Sequence, residues 1–98
     1  MMYALVILKY RVPLDVVESV TEEHRAYLRE LKAAGTLVAS GPFNPRTGGA
    51  LLLRVPDDTV AASLDAARDG DPFFKRGIAN YELLQWNPVI GREGLDAL

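Results

Sequence analysis

Cysteine is missing from this chain altogether, and histidine occurs once, at position 24. The first absence excludes disulfides and thiolate metal sites and leaves the redox compartment open. The second excludes an ordinary multi-histidine metal centre within one copy. No charge sign dominates either: 11 Lys and Arg stand against 13 Asp and Glu, a net charge of -2, with the basic residues scattered. Nucleic acid is therefore not an expected partner, because no basic stripe is available to follow phosphates. Long hydrophobic runs are absent as well. The apolar run from Tyr3 to Leu8 falls far short of a bilayer span. MMYALVILKY has neither the basic lead nor the small-residue cleavage site of a secretory signal. The expectation is a soluble cytoplasmic protein with no membrane partner.

What is present reads as globular. A hydrophobic fraction of 49% against 24% charged residues lies well away from disorder. Ninety-eight residues suffice for one core. The expected layout is one domain over residues 1–90 and a frayed tail over 91–98.

Tyr3–Lys9 is β-branched-rich and apolar, a first strand that Pro13 interrupts. Ser19 and Glu22 match a capping box, which predicts a helix from about Val20 to Ala34 with Gly35 as its C-terminal cap. Thr36–Gly41 and Ala50–Val55 read as strands two and three, joined by a turn-rich segment. Pro56-Asp57-Asp58 opens a second helix to about Arg68 under an aspartate cap. Asp71-Pro72 starts a short helical turn, and Ile78–Trp86 is the fourth strand. The order βαββαβ is the α+β, ferredoxin-like arrangement, an antiparallel four-stranded sheet with two helices on one face.

Two helices cover only one face of such a sheet, yet Leu5-Val6-Ile7-Leu8 and Leu51-Leu52-Leu53 are unbroken apolar runs. Side chains alternate across a strand, so both faces are apolar. A second copy, packed sheet to sheet as a homodimer, is the simplest cover. The competing arrangement is a monomer with a hydrophobic ligand groove.

The lone histidine lies on an apolar helical stripe, Val17, Val20, His24, Leu28, Leu31, opposite Glu22, Glu23, Arg25, Arg29, Glu30 and Lys32. An imidazole there points at the core or at a cavity within it, where it suits acid/base chemistry. The position equally suits a core histidine satisfied by a backbone carbonyl. Asp71 before Pro72 is a natural helix cap, and a cap can also orient an imidazole: one oxygen for the backbone, the other for the ring. Ser40 closes strand two and falls near helix one in this fold, either as a substrate contact or as a strand terminator. Phe73 and Phe74 point in different directions, one into the core and the other free to wall a pocket. Arg46, in the loop after strand two, can meet an anionic substrate or lie in solvent.

Taken together, His24 within EHRAYL, then AAGTLVASGP, RTGG and DPFFKRGIANYEL, resemble the YciI-like (YCII-related) family in order and spacing, over about residues 2–88. The resemblance implies a ferredoxin-like dimer of the α+β barrel kind with a His-Asp catalytic pair, here His24 and Asp71. It also implies a substrate pocket lined by Ser40, Gly41 and Pro42, to which Phe73 is added. A protein similar to this family removes hydrogen chloride from a chlorinated hydroxyquinol. A single histidine without cysteine argues against a zinc-dependent cyclohydrolase. The expected function is a small enzyme without cofactor or metal, of lyase, isomerase or hydrolase type, acting on a small aromatic or cyclic molecule. The alternative is a non-enzymatic dimeric module that binds a small molecule or assists a partner. A heme or flavin oxygenase on the same scaffold finds no supporting signature.

Overall fold

The computed structural model describes residues 1–98. Its elements are β1 (Met2–Tyr10), α1 (Leu14–Ala33), β2 (Leu37–Pro42), β3 (Gly48–Val55), α2 (Val60–Asp69), α3 (Pro72–Lys75), β4 (Ala79–Trp86) and α4 (Arg92–Asp96). The strands form one antiparallel sheet in the order β2-β3-β1-β4, the ferredoxin-like topology. No helix is long and apolar enough to cross a membrane.

The long helix starts earlier than the capping box predicts. Pro13 supplies its first carbonyl, which accepts from the Val16 and Val17 N–H groups at 3.0 and 3.2 Å. By the time the chain reaches Ser19 the helix is under way, so no orphan donor remains there for a cap. The Ser19 hydroxyl donates instead to the Val16 carbonyl at 2.6 Å. The C-terminus forms as read: Gly35 takes φ +81°, its N–H reaching Lys32 O and the Thr36 N–H reaching Leu31 O. That pair of bonds is the Schellman closure. The aspartate cap of α2 does not form. Asp57 pairs with the N-terminal ammonium at 2.9 Å, and the helix begins after a turn, behind Thr59.

The core lies between the sheet and the helices. Ala4, Val6 and Leu8 of β1 and Leu51, Leu53 and Val55 of β3 face Val17, Val20 and Leu28 of α1 and Leu64 and Ala67 of α2. Gly48 is required where β3 meets β1, because a Cβ there would fall 1.9 Å from the Leu8 carbonyl oxygen.

The opposite face carries Tyr3, Leu5 and Ile7, with Leu52 on β3 and Leu84 and Trp86 on β4 beside them. One end of it is covered by the chain's own tail, which is helical rather than frayed. The Tyr3 hydroxyl donates to Asp96 at 2.6 Å, and Arg54 donates to the Leu95 and Leu98 carbonyls. Tyr3 is thereby fully buried, whereas Leu84 and Trp86 stay exposed.

Candidate active site

His24 occupies the middle of α1, between the buried Val20 and Leu28 one turn away on either side. Across from it, α3 begins. Asp71 is its N-cap, with Pro72 at the first helical position, where a missing N–H costs nothing. The two meet despite 47 intervening positions: His24 Nδ1 lies 2.7 Å from Asp71 Oδ1. Asp71 is fully buried, and the imidazole is 12% exposed.

The division of labour expected for the carboxylate does not hold. One oxygen does both tasks, since Oδ1 also accepts the Phe73 N–H at 3.0 Å. The reason is geometric. The cap bond aims Oδ1 along the first turn of α3, and Phe73, two residues on, lies flat against the imidazole with centroids 3.9 Å apart and planes within 2°. Ring stacking and cap bond therefore bring Nδ1 to the same atom. An ionised carboxylate only accepts, so toward ionised Asp71 the ring donates from Nδ1, and in the neutral imidazole that tautomer leaves the Nε2 lone pair for another partner.

Asp71 Oδ2 and the Tyr81 hydroxyl are both buried without a hydrogen bond of good geometry. They lie near enough that Asp71 weighs on the phenol. Burial first, then the charge and hydrogen bonding of Asp71, hold the Tyr81 hydroxyl far above its ordinary range. Tyr27 wedges the other side of the Asp71 turn. Its hydroxyl donates to the Ala67 carbonyl at 2.8 Å, and its ring occupies the space where a Cβ on Gly70 would fall. Burial, with Asp71 next, also raises the Tyr27 hydroxyl.

In front of the imidazole is a cavity of about 180 Å³. His24 and Phe73 form one wall, Ser40, Gly41 and Pro42 another, and Leu8, Leu28 and Leu51 contribute apolar surface. All the sequence-assigned residues thus converge, with Asp71 directly behind the histidine. Phe73, the buried aromatic of its pair, is the one that walls the cavity. Phe74 is exposed and packs edge-on against Tyr81, beneath Arg68.

Three residues enter the site more fully than sequence reasoning suggested. Thr21 is buried among the core positions of α1 and donates to the Val17 carbonyl at 2.8 Å. Arg46 folds inward from its loop, donates to Thr21 Oγ1 at 3.3 Å and lines the cavity. Tyr81 reads in sequence only as a strand aromatic; its alternation with the buried face of β4 was the available signal. No group of three or more His, Cys, Asp or Glu side chains converges to hold a metal ion.

The family model of the YCII-related domain matches residues 1–87. Among solved structures, the chain is similar to 5-chloro-2-hydroxyhydroquinone dehydrochlorinase (TftG) from Burkholderia phenoliruptrix AC1100, in complex with 2,5-dihydroxybenzoquinone. The two share 25% identity and a TM-score of 0.74, over 88% of this chain and 94% of that one. No curated protein matches the sequence.

Proposed function

We propose that this chain, which belongs to the YCII-related domain family, is a small enzyme that uses His24 and Asp71 as an acid/base pair, without a cofactor. The observation that carries this reading is the buried Nδ1–Oδ1 contact of 2.7 Å at the wall of a cavity. His24 Nε2 accepts a proton from an acidic C–H or O–H of the substrate. Asp71 then stabilises the imidazolium without taking the proton itself, and the stacked Phe73 ring holds the imidazole plane. In a lyase reaction the C–H electron pair becomes a new double bond as the leaving group departs from the neighbouring carbon. In an isomerase reaction the imidazolium returns the proton to a different carbon.

The substrate class is a small aromatic or cyclic molecule, held by Phe73 and by the Ser40–Pro42 segment. The similarity to a dehydrochlorinase that binds a one-ring quinone supports it. The working unit is a homodimer joined through the helix-free sheet face. Leu5, Leu52 and Leu84, side by side across three strands, support that arrangement.

The test is release of chloride from 5-chloro-2-hydroxyhydroquinone, alongside a panel of one-ring enols and lactones. His24→Ala, or His24→Gln where stability demands an amide donor, should lower turnover by about 10²–10⁴. A folded variant at position 24 with full turnover overturns the proposal.

A further inference from the structure

Arg46 is the one cation drawn into the cavity that has no carboxylate partner. Its guanidinium carries five N–H donors, and its side chain makes a single hydrogen bond, to the neutral hydroxyl of Thr21. No Asp or Glu lies within ion-pair distance of it. Its Nε is buried and without an acceptor. Arg25, the other arginine at the cavity, is half exposed and already faces Glu22 at 3.4 Å. The cavity's remaining polar lining is the Tyr10 and Ser40 side chains and the His24 imidazole, none of which carries a negative charge to neutralise a guanidinium.

An unpaired donor at a concave site is costly to seal off and favourable to fill. A ligand that displaces solvent from this cavity must bring its own acceptor for Arg46, and a charged acceptor makes the shorter, stronger bond. Size limits the rest. An apolar cavity of about 150 Å³ accommodates a benzene ring, close to the 180 Å³ found here. We propose that the cavity selects one-ring organic anions, with the acidic oxygens on the Arg46 guanidinium and the ring between Phe73 and the Ser40–Pro42 wall. This rests on the reading of the cavity as a substrate site, and it assigns specificity to Arg46 while His24 and Asp71 keep the chemistry.

The probes are benzoate and its neutral counterpart benzamide, titrated calorimetrically into the full chain. Wild type should bind benzoate at least about tenfold more tightly than benzamide, the low end of what a charge-assisted bond contributes. Arg46→Gln should weaken benzoate to the benzamide level and leave benzamide unchanged. Arg46→Lys should keep part of the preference, because it keeps the charge and loses the planar fork. Thermal melts of both variants show whether the fold persists. Equal binding of the two probes, no binding of benzoate, or an unaltered preference in folded Arg46→Gln overturns the inference. Should it fall while His24 substitution still abolishes turnover, the acid/base reading stands. Should the Arg46 preference hold while a folded His24 variant is fully active, the site is an anion-binding one and the acid/base reading falls.

Discussion

Removing Asp71 separates its two tasks by magnitude. As the cap of α3 it accepts the Phe73 N–H at 3.0 Å, and capping residues lost to alanine cost about 0.5–2 kcal/mol. As the partner of His24 it makes a charge-assisted contact at 2.7 Å, a kind of bond worth about 1.5–3 kcal/mol. Asp71→Ala deletes both and leaves two donors in a buried position, for a total of about 2–5 kcal/mol. Asp71→Asn keeps an oxygen for the cap and for a neutral hydrogen bond, so only the charged part is lost, about 1–2 kcal/mol. The order Ala worse than Asn is thus a direct reading of a shared oxygen. Because burying an ion pair carries its own desolvation cost, single substitutions do not measure the pair. A double-mutant cycle with His24→Ala does, and should return a coupling of about 1 kcal/mol or more. The assay is urea unfolding at pH 7.5 and fixed protein concentration, since any self-association shifts the midpoint by mass action. Additive single and double substitutions, or equal losses for Ala and Asn, would refute the argument.

Two further outcomes follow from the same geometry. Tyr81 and Tyr27 both have hydroxyls raised above the ordinary value of 10.0, so the folded chain holds protons that the unfolded chain releases; their stabilising contribution is present below pH 10 and declines as pH rises through and above it, by up to about 1.4 kcal/mol per pH unit for the buried Tyr81 and by less for the more exposed Tyr27, which solvent screens. Urea midpoints at pH 9, 10 and 11 should fall, Tyr81→Phe should flatten part of that fall, and an unchanged midpoint across the range contradicts it. On the helix-free face, Leu84→Glu places a charge in the middle of the apolar row and should convert the proposed dimer to monomer in sedimentation velocity, with the cavity-side residues untouched; a wild type that sediments as a monomer removes the premise.

What was legible in the sequence follows from how local each signal is. The β-branched and apolar runs and the Gly35 cap depend on near neighbours: the four strands formed with boundaries shifted by a residue or two, and α1 ended at the Gly35 turn although it began six residues before the expected start. The capping box at Ser19 and the aspartate cap at Asp57 are local signals that lost to other contacts. Pro13 had already opened α1, and the terminal ammonium drew Asp57 away from α2. The ordered tail depends on Tyr3 and Arg54, which are distant in sequence and carry no mark of their role. At the site, helical spacing pointed His24 inward, but its contact with Asp71 spans 47 positions and came from family resemblance, not from periodicity. Arg46 was visible as a loop arginine able either to meet an anion or to lie in solvent. Its inward turn depends on the Thr21 hydroxyl, which no spacing rule connects to it.

The shared oxygen has a consequence for how this site holds its geometry. Asp71 is positioned by the backbone of α3 and by the turn that Tyr27 and Gly70 brace, whatever the imidazole does. The histidine is then held from two sides by residues two apart at the start of one element, Asp71 at Nδ1 and Phe73 against its plane. Nε2 is the ring nitrogen left without a protein hydrogen bond, and its direction is set by helical structure instead of by loops. The opposite wall is different. Ser40–Pro42 ends an edge strand, and Arg46 sits in the connection that follows. Connections of that kind tolerate change without disturbing the core. On the proposed acid/base reading, a fixed imidazole–carboxylate pair facing a replaceable wall is the arrangement in which substrate choice would be altered at residues 40–46 while His24 and Asp71 stay in place.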